Sequence, residues 1–168
     1  MRAKPEPVQV VKERRDTALN ALTKSIPYAS FLGIEFDRRG DELTAILPFD
    51  QKLIGNPILP ALHGGGTAAF LEVAAIIELG WAHLWQEIES GRIDASALNV
   101  ETLPQLPKTI DITVDYLRTG LPRDGYARAT VIRAGRRYAT VRVEAWQDNR
   151  ERPFAQAVGH FLMPARER

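Results

Sequence analysis

At 168 residues the chain is the size of one domain, and 45% hydrophobic residues are enough to bury a sizeable core. Its 22 basic and 21 acidic residues leave a formal net charge of +1, which excludes whole-chain electrostatic attraction to nucleic acid or an anionic membrane. There is no cysteine, which removes disulfides, thiolate nucleophiles and zinc–thiolate sites together, and His63, His83 and His160 are too scattered to read as a metal cluster.

The first 22 residues mix Lys4, Lys12, Arg14 and Arg15 with Glu6, Glu13 and Asp16 and carry no apolar block of the kind a signal peptide needs. No apolar run is expected to approach the roughly 18 residues of a membrane span, so a cytoplasmic protein without a membrane partner is the expectation. From Gln9 to Leu22 the apolar residues recur at helical spacing and predict an amphipathic helix. Ile34 to Leu47 reads as two extended pieces around the turn signal Arg39-Gly40-Asp41. Asp50 to Leu62, broken by Gly55, Pro57 and Pro60, reads as loop.

His63-Gly64-Gly65-Gly66 then opens the most informative stretch. Three glycines let backbone approach a ligand with no Cβ in the way, and a helix start offers unpaired N–H groups suited to an oxygen carrying negative charge. Thr67 to Leu84 is apolar nearly all round and predicts a helix wrapped by other elements, with Gly80 as a possible interruption and Gly91 as its stop. Glu72 lies on this helix about two turns beyond the glycines and shares a face with Ala68, Ala75, Ile76, Leu79 and His83. A carboxylate among apolar neighbours is costly unless it is paired or used, so Glu72 reads as functional rather than as half of a buried salt bridge. Glu78 falls on another face, with Leu71, Ala74, Trp81 and Trp85, and reads as solvated or at an interface. His63 reads as a ring that packs and hydrogen-bonds the loop. Trp81 and Trp85 are one turn apart and are expected to pack.

Residues 91 to 107 form a long connection and a candidate pocket wall, together with Phe70, Leu71 and Trp81. Lys108 to Arg118 alternates as a half-buried strand, with Ile110, Ile112, Val114 and Tyr116 on one face and Thr109, Asp111, Thr113 and Asp115 on the other. Three further strands, Tyr126 to Arg133, Tyr138 to Gln147 and Phe154 to Met163, follow after short turns, so the four are expected to form one antiparallel meander. The order favours an α+β domain whose antiparallel sheet curls around one long central helix.

A long buried helix after His63-Gly64-Gly65 and before a run of strands resembles the hotdog fold, and more narrowly the PaaI-type acyl-CoA thioesterases. The likeness rests on Asn56-Pro57, then His63-Gly64-Gly65, then Glu72 nine positions after the His, and on Thr109-Ile110-Asp111-Ile112 with Asp115-Tyr116-Leu117-Arg118. It covers about residues 34 to 163, and divides the chain into an N-terminal helical extension, 1–30, and a thioesterase domain, 31–168. The resemblance implies hydrolysis of an acyl- or aroyl-CoA to the acid and CoA, with no cofactor beyond the CoA that is part of the substrate. The thioester carbonyl would sit on the Gly64 amide, and Glu72 would act as nucleophile or as base toward water. Asn56, seven residues before His63 where some members have six, would orient the carboxylate or the water. Thr109 would reach the site from a partner subunit, in a homodimer that commonly pairs again into a tetramer. Gly65 and Gly66 would line the substrate, and Arg118, Arg136 and Arg137 are the candidate cations for the CoA phosphates.

Two other activities compete. A hydroxyacyl-thioester dehydratase of the same fold would need a histidine well upstream of the helical acid, where this chain has Ile58. A non-catalytic CoA-ester binding or regulatory protein would keep the glycines and could dispense with Glu72.

Overall fold

The computed structural model describes residues 6–165. Helix α1 runs over Val8–Lys24 and buries Ala18, Leu19 and Leu22, the residues its apolar stripe predicts. A short helix not anticipated from the sequence, α2, follows at Pro27–Leu32, with proline in its first turn, where the missing N–H costs no bond. These segments share one hydrophobic cluster with the rest of the chain, so the stretch expected as an extension packs directly on the central helix.

Strands β1 (Glu35–Arg39) and β2 (Glu42–Leu47) form the expected hairpin around Gly40. The predicted loop over 50–62 is more ordered than expected. It holds a single 3-10 turn, Gln51–Leu53, and a two-stranded ribbon of β3 (Ile54–Asn56) and β4 (Ala61–Leu62).

Helix α3, Gly64–Glu89, is 26 residues long, or about 39 Å, and crosses the domain. Gly80 does not interrupt it. A side chain there would lie 3.0 Å from Leu106 and 3.5 Å from Leu22, so the missing Cβ is what lets α1 and the 91–107 connection close on the helix. Gly91 stands just past the end with φ +73, a left-handed conformation that favours glycine. Contrary to the sequence expectation, α3 is long and apolar enough to cross a membrane by length and composition, yet most of it is buried within the fold. The sheet covers one side and α1 the other, which is how a core helix of an α+β domain comes to be hydrophobic all round. Trp81 and Trp85 stack at 5.7 Å, and Arg15 of α1 lies 4.3 Å over the Trp85 ring.

Four strands complete the sheet: β5 (Lys108–Tyr116), β6 (Gly125–Ala134), β7 (Tyr138–Trp146) and β8 (Ala155–Leu162). The order is β1-β2-β6-β7-β8-β5, antiparallel throughout. The expectation of a four-strand meander is therefore corrected. Only β6, β7 and β8 meander, while β5 crosses to the far edge and pairs with β8. The 117–124 connection turns away from β5 because Leu117 and Arg118 bond the carbonyl of Phe154, tying it to the start of β8.

Candidate active site

The start of α3 is assembled by close packing. The His63 N–H donates to the Leu53 carbonyl at 2.7 Å, and a Cβ at Gly55 would lie 2.7 Å from the His63 Cα, so β3 can press against the helix entry only because residue 55 is glycine. His63 caps the helix. The Gly65 N–H donates to its Nδ1 at 2.9 Å, which leaves that nitrogen unprotonated and satisfies one of the orphan donors of the first turn. The structural reading of His63 fits this geometry, and Gly65 is spoken for. Among the described residues the amides of Gly64 and Gly66 have no hydrogen-bond partner. Space around the glycines differs. A Cβ at Gly64 would meet the Tyr116 ring at 3.3 Å, whereas at Gly66 nothing lies within 4 Å. Gly64 is thus small because Tyr116 covers it, and Gly66 faces open space where a ligand can approach.

Tyr116 is the residue sequence reasoning missed. It stands in the Asp115-Tyr116-Leu117-Arg118 motif, but no pattern in the sequence shows what it touches. Its hydroxyl donates to the Gly64 carbonyl at 2.7 Å and pins the first turn of α3 to the end of β5.

Eight residues along α3, Glu72 is half-buried and accepts a hydrogen bond from the Thr109 hydroxyl at 2.6 Å. Only Oε1 is engaged, so Oε2 has no partner among the described residues. Thr109 reaches Glu72 because of a bulge. In β5 the pairing with β8 slips between Thr109 and Asp111, leaving Ile110 as an extra residue that is 52% exposed. One extra residue flips the face, so Thr109 points inward with Ile112 and Val114, opposite the buried Phe161. Two expectations are corrected here. Thr109 does not share a face with Asp111, and no neighbouring copy is needed to bring it to Glu72, since both belong to one chain.

Other expected residues serve differently. The Asn56 side-chain oxygen accepts from the N–H groups of Ile58 (3.1 Å) and Leu59 (3.2 Å), so it shapes the tip of the β3–β4 ribbon, while its side-chain N–H2 has no partner among the described residues. Arg118 donates to the Pro153 carbonyl at 2.9 Å, near the Tyr116 end of β5. Arg136 and Arg137 lie on the β6–β7 turn, which packs beside the other end of β5 through Leu162 and Met163. The three arginines therefore do not converge; the length of β5, roughly 25 Å, separates Arg118 from the other two. His160 on the outer face of β8 pairs with Asp111 at 2.8 Å. Phe70, Leu71 and Trp81 are buried in the core rather than lining a cavity. Among the described residues no cluster could hold a metal ion.

Two stations thus lie along the seam between α3 and β5: open amides at Gly64 and Gly66 beside Tyr116, and a carboxylate at Glu72 beside Thr109. The rise from Gly64 to Glu72 is about 12 Å along the helix axis. A glutamate side chain leaning back toward the N-terminus covers only part of that gap.

A family model described as the acyl-CoA thioesterase N-terminal domain matches residues 56–162. The chain is 32% identical over 120 residues to the medium/long-chain acyl-CoA thioesterase YigI of Escherichia coli, an alignment that covers 71% of this chain and 74% of that protein. Among solved structures, a Chromobacterium violaceum protein superposes with a TM-score of 0.62 at 33% identity, covering 95% of this chain and all of its own. A Shewanella oneidensis protein related to the thioesterase superfamily gives 0.65 at 24% identity, over 94% of this chain and 99% of its own.

Proposed function

This chain belongs to the acyl-CoA thioesterase family of the hotdog fold and is a thioester hydrolase; from that premise we propose that it hydrolyses medium- and long-chain acyl-CoA with Glu72 as the reacting carboxylate and the Gly64 amide as oxyanion donor, the two supplied by different copies of the chain. The observation that carries the chemistry is the Glu72–Thr109 pair: one carboxylate oxygen held at 2.6 Å by an inward-facing hydroxyl, the other open. Hydrolysis adds the oxygen of water to the carbonyl carbon and breaks the C–S bond, the proton ending on the departing thiolate. Glu72 either takes the proton from water or attacks the carbonyl itself, and in both routes the carbonyl oxygen gains negative charge. An amide aimed at that oxygen is the kind of donor whose loss costs ~2.7–4 kcal/mol. No cofactor is required, because the CoA is part of the substrate. Acyl-CoA chemistry and the cysteine-free sequence support a cytoplasmic setting.

Separation along α3 supports the two-copy reading. A carbonyl whose oxygen touches the Gly64 amide lies beyond the reach of Glu72 on the same helix, given a rise of about 12 Å. Strand β5 is an open edge, bonded to β8 alone, with Ile110 52%, Tyr116 55% and Leu117 46% exposed. Antiparallel pairing of two β5 edges about a two-fold axis between Ile112 and Thr113 sets Tyr116 of one copy opposite Thr109 of the other. Gly64 of one chain then meets Glu72 of its partner, and the Asn56 ribbon, idle toward its own Glu72, faces the partner's. The dehydratase alternative loses support, since Ile58, where its histidine would stand, is 89% exposed at the ribbon tip.

Thiol release from acyl-CoA by wild type and Glu72→Gln tests the chemistry; equal rates would sink it. Subunit mixing tests the division. Gly64→Pro removes the amide at the first helical position, where the backbone suits proline after a residue already extended at φ −64, ψ 129, and where Tyr116, which a Cβ would meet at 3.3 Å, must give by a few tenths of an ångström. Mixing Gly64→Pro with Glu72→Gln chains, each inactive alone, restores about a quarter of wild-type activity if symmetric dimers assort at random. No recovery in verified mixed dimers would place both groups in one chain.

A further inference from the structure

Two aromatic rings stand out from the short helix α2. Ala29 and Leu32 anchor that helix in the hydrophobic cluster, which turns Tyr28 and Phe31, three residues apart on the other face, to solvent at 53% and 59% exposure. The rings lie nearly parallel, at 12°, with centroids 5.8 Å apart, and the Lys52 ammonium sits 4.8 Å from the Phe31 centroid. The Asp50 carboxylate, 3.8 Å from that ammonium, is too far for a hydrogen bond, so the Lys52 donors have no hydrogen-bond partner among the described residues. This platform flanks the entry of α3. Lys52 stands next to Leu53, whose carbonyl accepts the His63 N–H at 2.7 Å, and His63 precedes Gly64. Two chain steps of about 3.8 Å and one backbone hydrogen bond put the Lys52 and Gly64 Cα atoms at most about 13 Å apart.

Resting on the thioesterase reading, with the Gly64 amide as oxyanion donor, we propose that Tyr28, Phe31 and Lys52 form the subsite for the nucleotide end of CoA, the adenine stacking on the rings and Lys52 taking a phosphate. The chemistry matches in both parts. An adenine offers its π-face to an exposed aromatic ring, and a phosphate supplies the negative charge that an unengaged ammonium pairs with. Length matches as well. The pantetheine arm between thioester and phosphates is about as long as four extended residues, ~13 Å, so a thioester whose oxygen touches the Gly64 amide brings its phosphates within reach of Lys52. Arg136 and Arg137, expected from the sequence to hold the phosphates, lie at the end of β5 away from Gly64. Tyr28, Phe31 and Lys52 all precede the span that the family model matches, 56–162, so the subsite is drawn from outside the matched domain. Binding energy gained far from the reacting bond is usable at that bond, so loss of the subsite is read in kcat/KM.

The test compares thiol release from octanoyl-CoA and from S-octanoyl-pantetheine, which lacks the nucleotide, by wild type, Tyr28→Ala, Phe31→Ala, Lys52→Gln and Arg118→Ala. Wild type should favour the CoA ester in kcat/KM by about 10-fold or more, within the range of one stacked base. Tyr28→Ala and Phe31→Ala should each remove most of that preference, and the free nucleotide, adenosine 3′,5′-bisphosphate, should inhibit them less than wild type. Lys52→Gln should remove about 3- to 5-fold of it, and less as salt is raised. Both rings are exposed, and should one variant fail to fold, the other decides. Equal loss on both esters would make the rings structural and overturn the subsite, as would a wild type that does not distinguish the two esters. Collapse of the preference in Arg118→Ala, with the ring variants unaltered, would move the nucleotide to the Tyr116 side of the helix entry and overturn it too. Each of these results leaves the thioesterase intact. A wild type that releases thiol from neither ester would overturn the thioesterase reading and the subsite with it.

Discussion

Glu72 and Glu78 stand six residues apart on one helix, and the fold treats them in opposite ways. Glu72 turns toward β5 and receives the Thr109 hydroxyl, with one oxygen left open. Glu78 has no hydrogen-bond partner among the described residues, and burial alone pushes its carboxyl up from 4.5 to about 7. A perturbed carboxyl is often taken as a sign of catalysis. Here the perturbed group has no hydrogen-bond partner among the described residues, while the one with a hydroxyl beside it lies on the seam that holds the open amides. Geometry rather than titration separates the carboxylate proposed to react from the one that is merely buried.

The sharpest way to break that contrast is to neutralise each acid in turn. Glu72→Gln should lower kcat by about 10³-fold, in the range for loss of a positioned acid–base group, while Glu78→Gln leaves thiol release near the wild-type level. A reversed pattern would exchange their roles. Next in size is the hydroxyl. Thr109→Val removes a hydrogen bond to a charged group, and a loss of about 1.5–3 kcal/mol predicts roughly 10- to 100-fold in kcat/KM. Thr109→Ser should recover most of it, because the donor returns while the methyl does not; failure of serine to rescue would make the role one of packing.

Glu78 should appear in stability instead. A carboxyl raised from 4.5 to about 7 binds its proton more tightly in the folded state, so stability is fully present below pH 4.5 and falls as pH rises to 7 and beyond. At about 1.4 kcal/mol per pKa unit the loss above pH 8 approaches 3 kcal/mol. In urea titrations Glu78→Gln should therefore be more stable than wild type at pH 8 and nearly equal to it at pH 4.5; parallel curves at both pH values would mean that the carboxyl is not perturbed. Smallest is the cap. His63→Ala removes the acceptor for the Gly65 N–H and should cost about 1 kcal/mol of stability, measured as a lower urea midpoint.

How far the sequence spoke depends on whether a property repeats along the chain. Periodicity of two and of 3.6 is local, and from it came α1, the long apolar α3, the strands and the odd position of Glu72 on an apolar face. The Gly64–Gly66 cluster was visible as a place where backbone is bare. Partnership was not visible. Strand β5 is expected beside β6 because the two are consecutive, yet it pairs with β8, and Leu117 and Arg118 continue that attachment by bonding the Phe154 carbonyl. Unbroken alternation puts Thr109 on the face of Asp111, and the Ile110 bulge reverses it. Asn56 has the right residue type for a site role, and no sequence pattern tells that its oxygen is taken by Ile58 and Leu59 while its N–H2 is left over.

A curled antiparallel sheet around one central helix, with an acid two turns beyond a glycine cluster, is legible in the order of residues alone, since these features depend on apolar spacing and on the absence of Cβ atoms. That the Thr109 hydroxyl bonds Glu72, that Tyr116 holds Gly64, and that the carboxylate and the open amides lie at opposite ends of one seam emerges from packing in three dimensions. Each of those depends on register between elements dozens of residues apart, and a single bulge residue, which no pattern announces, is enough to change it.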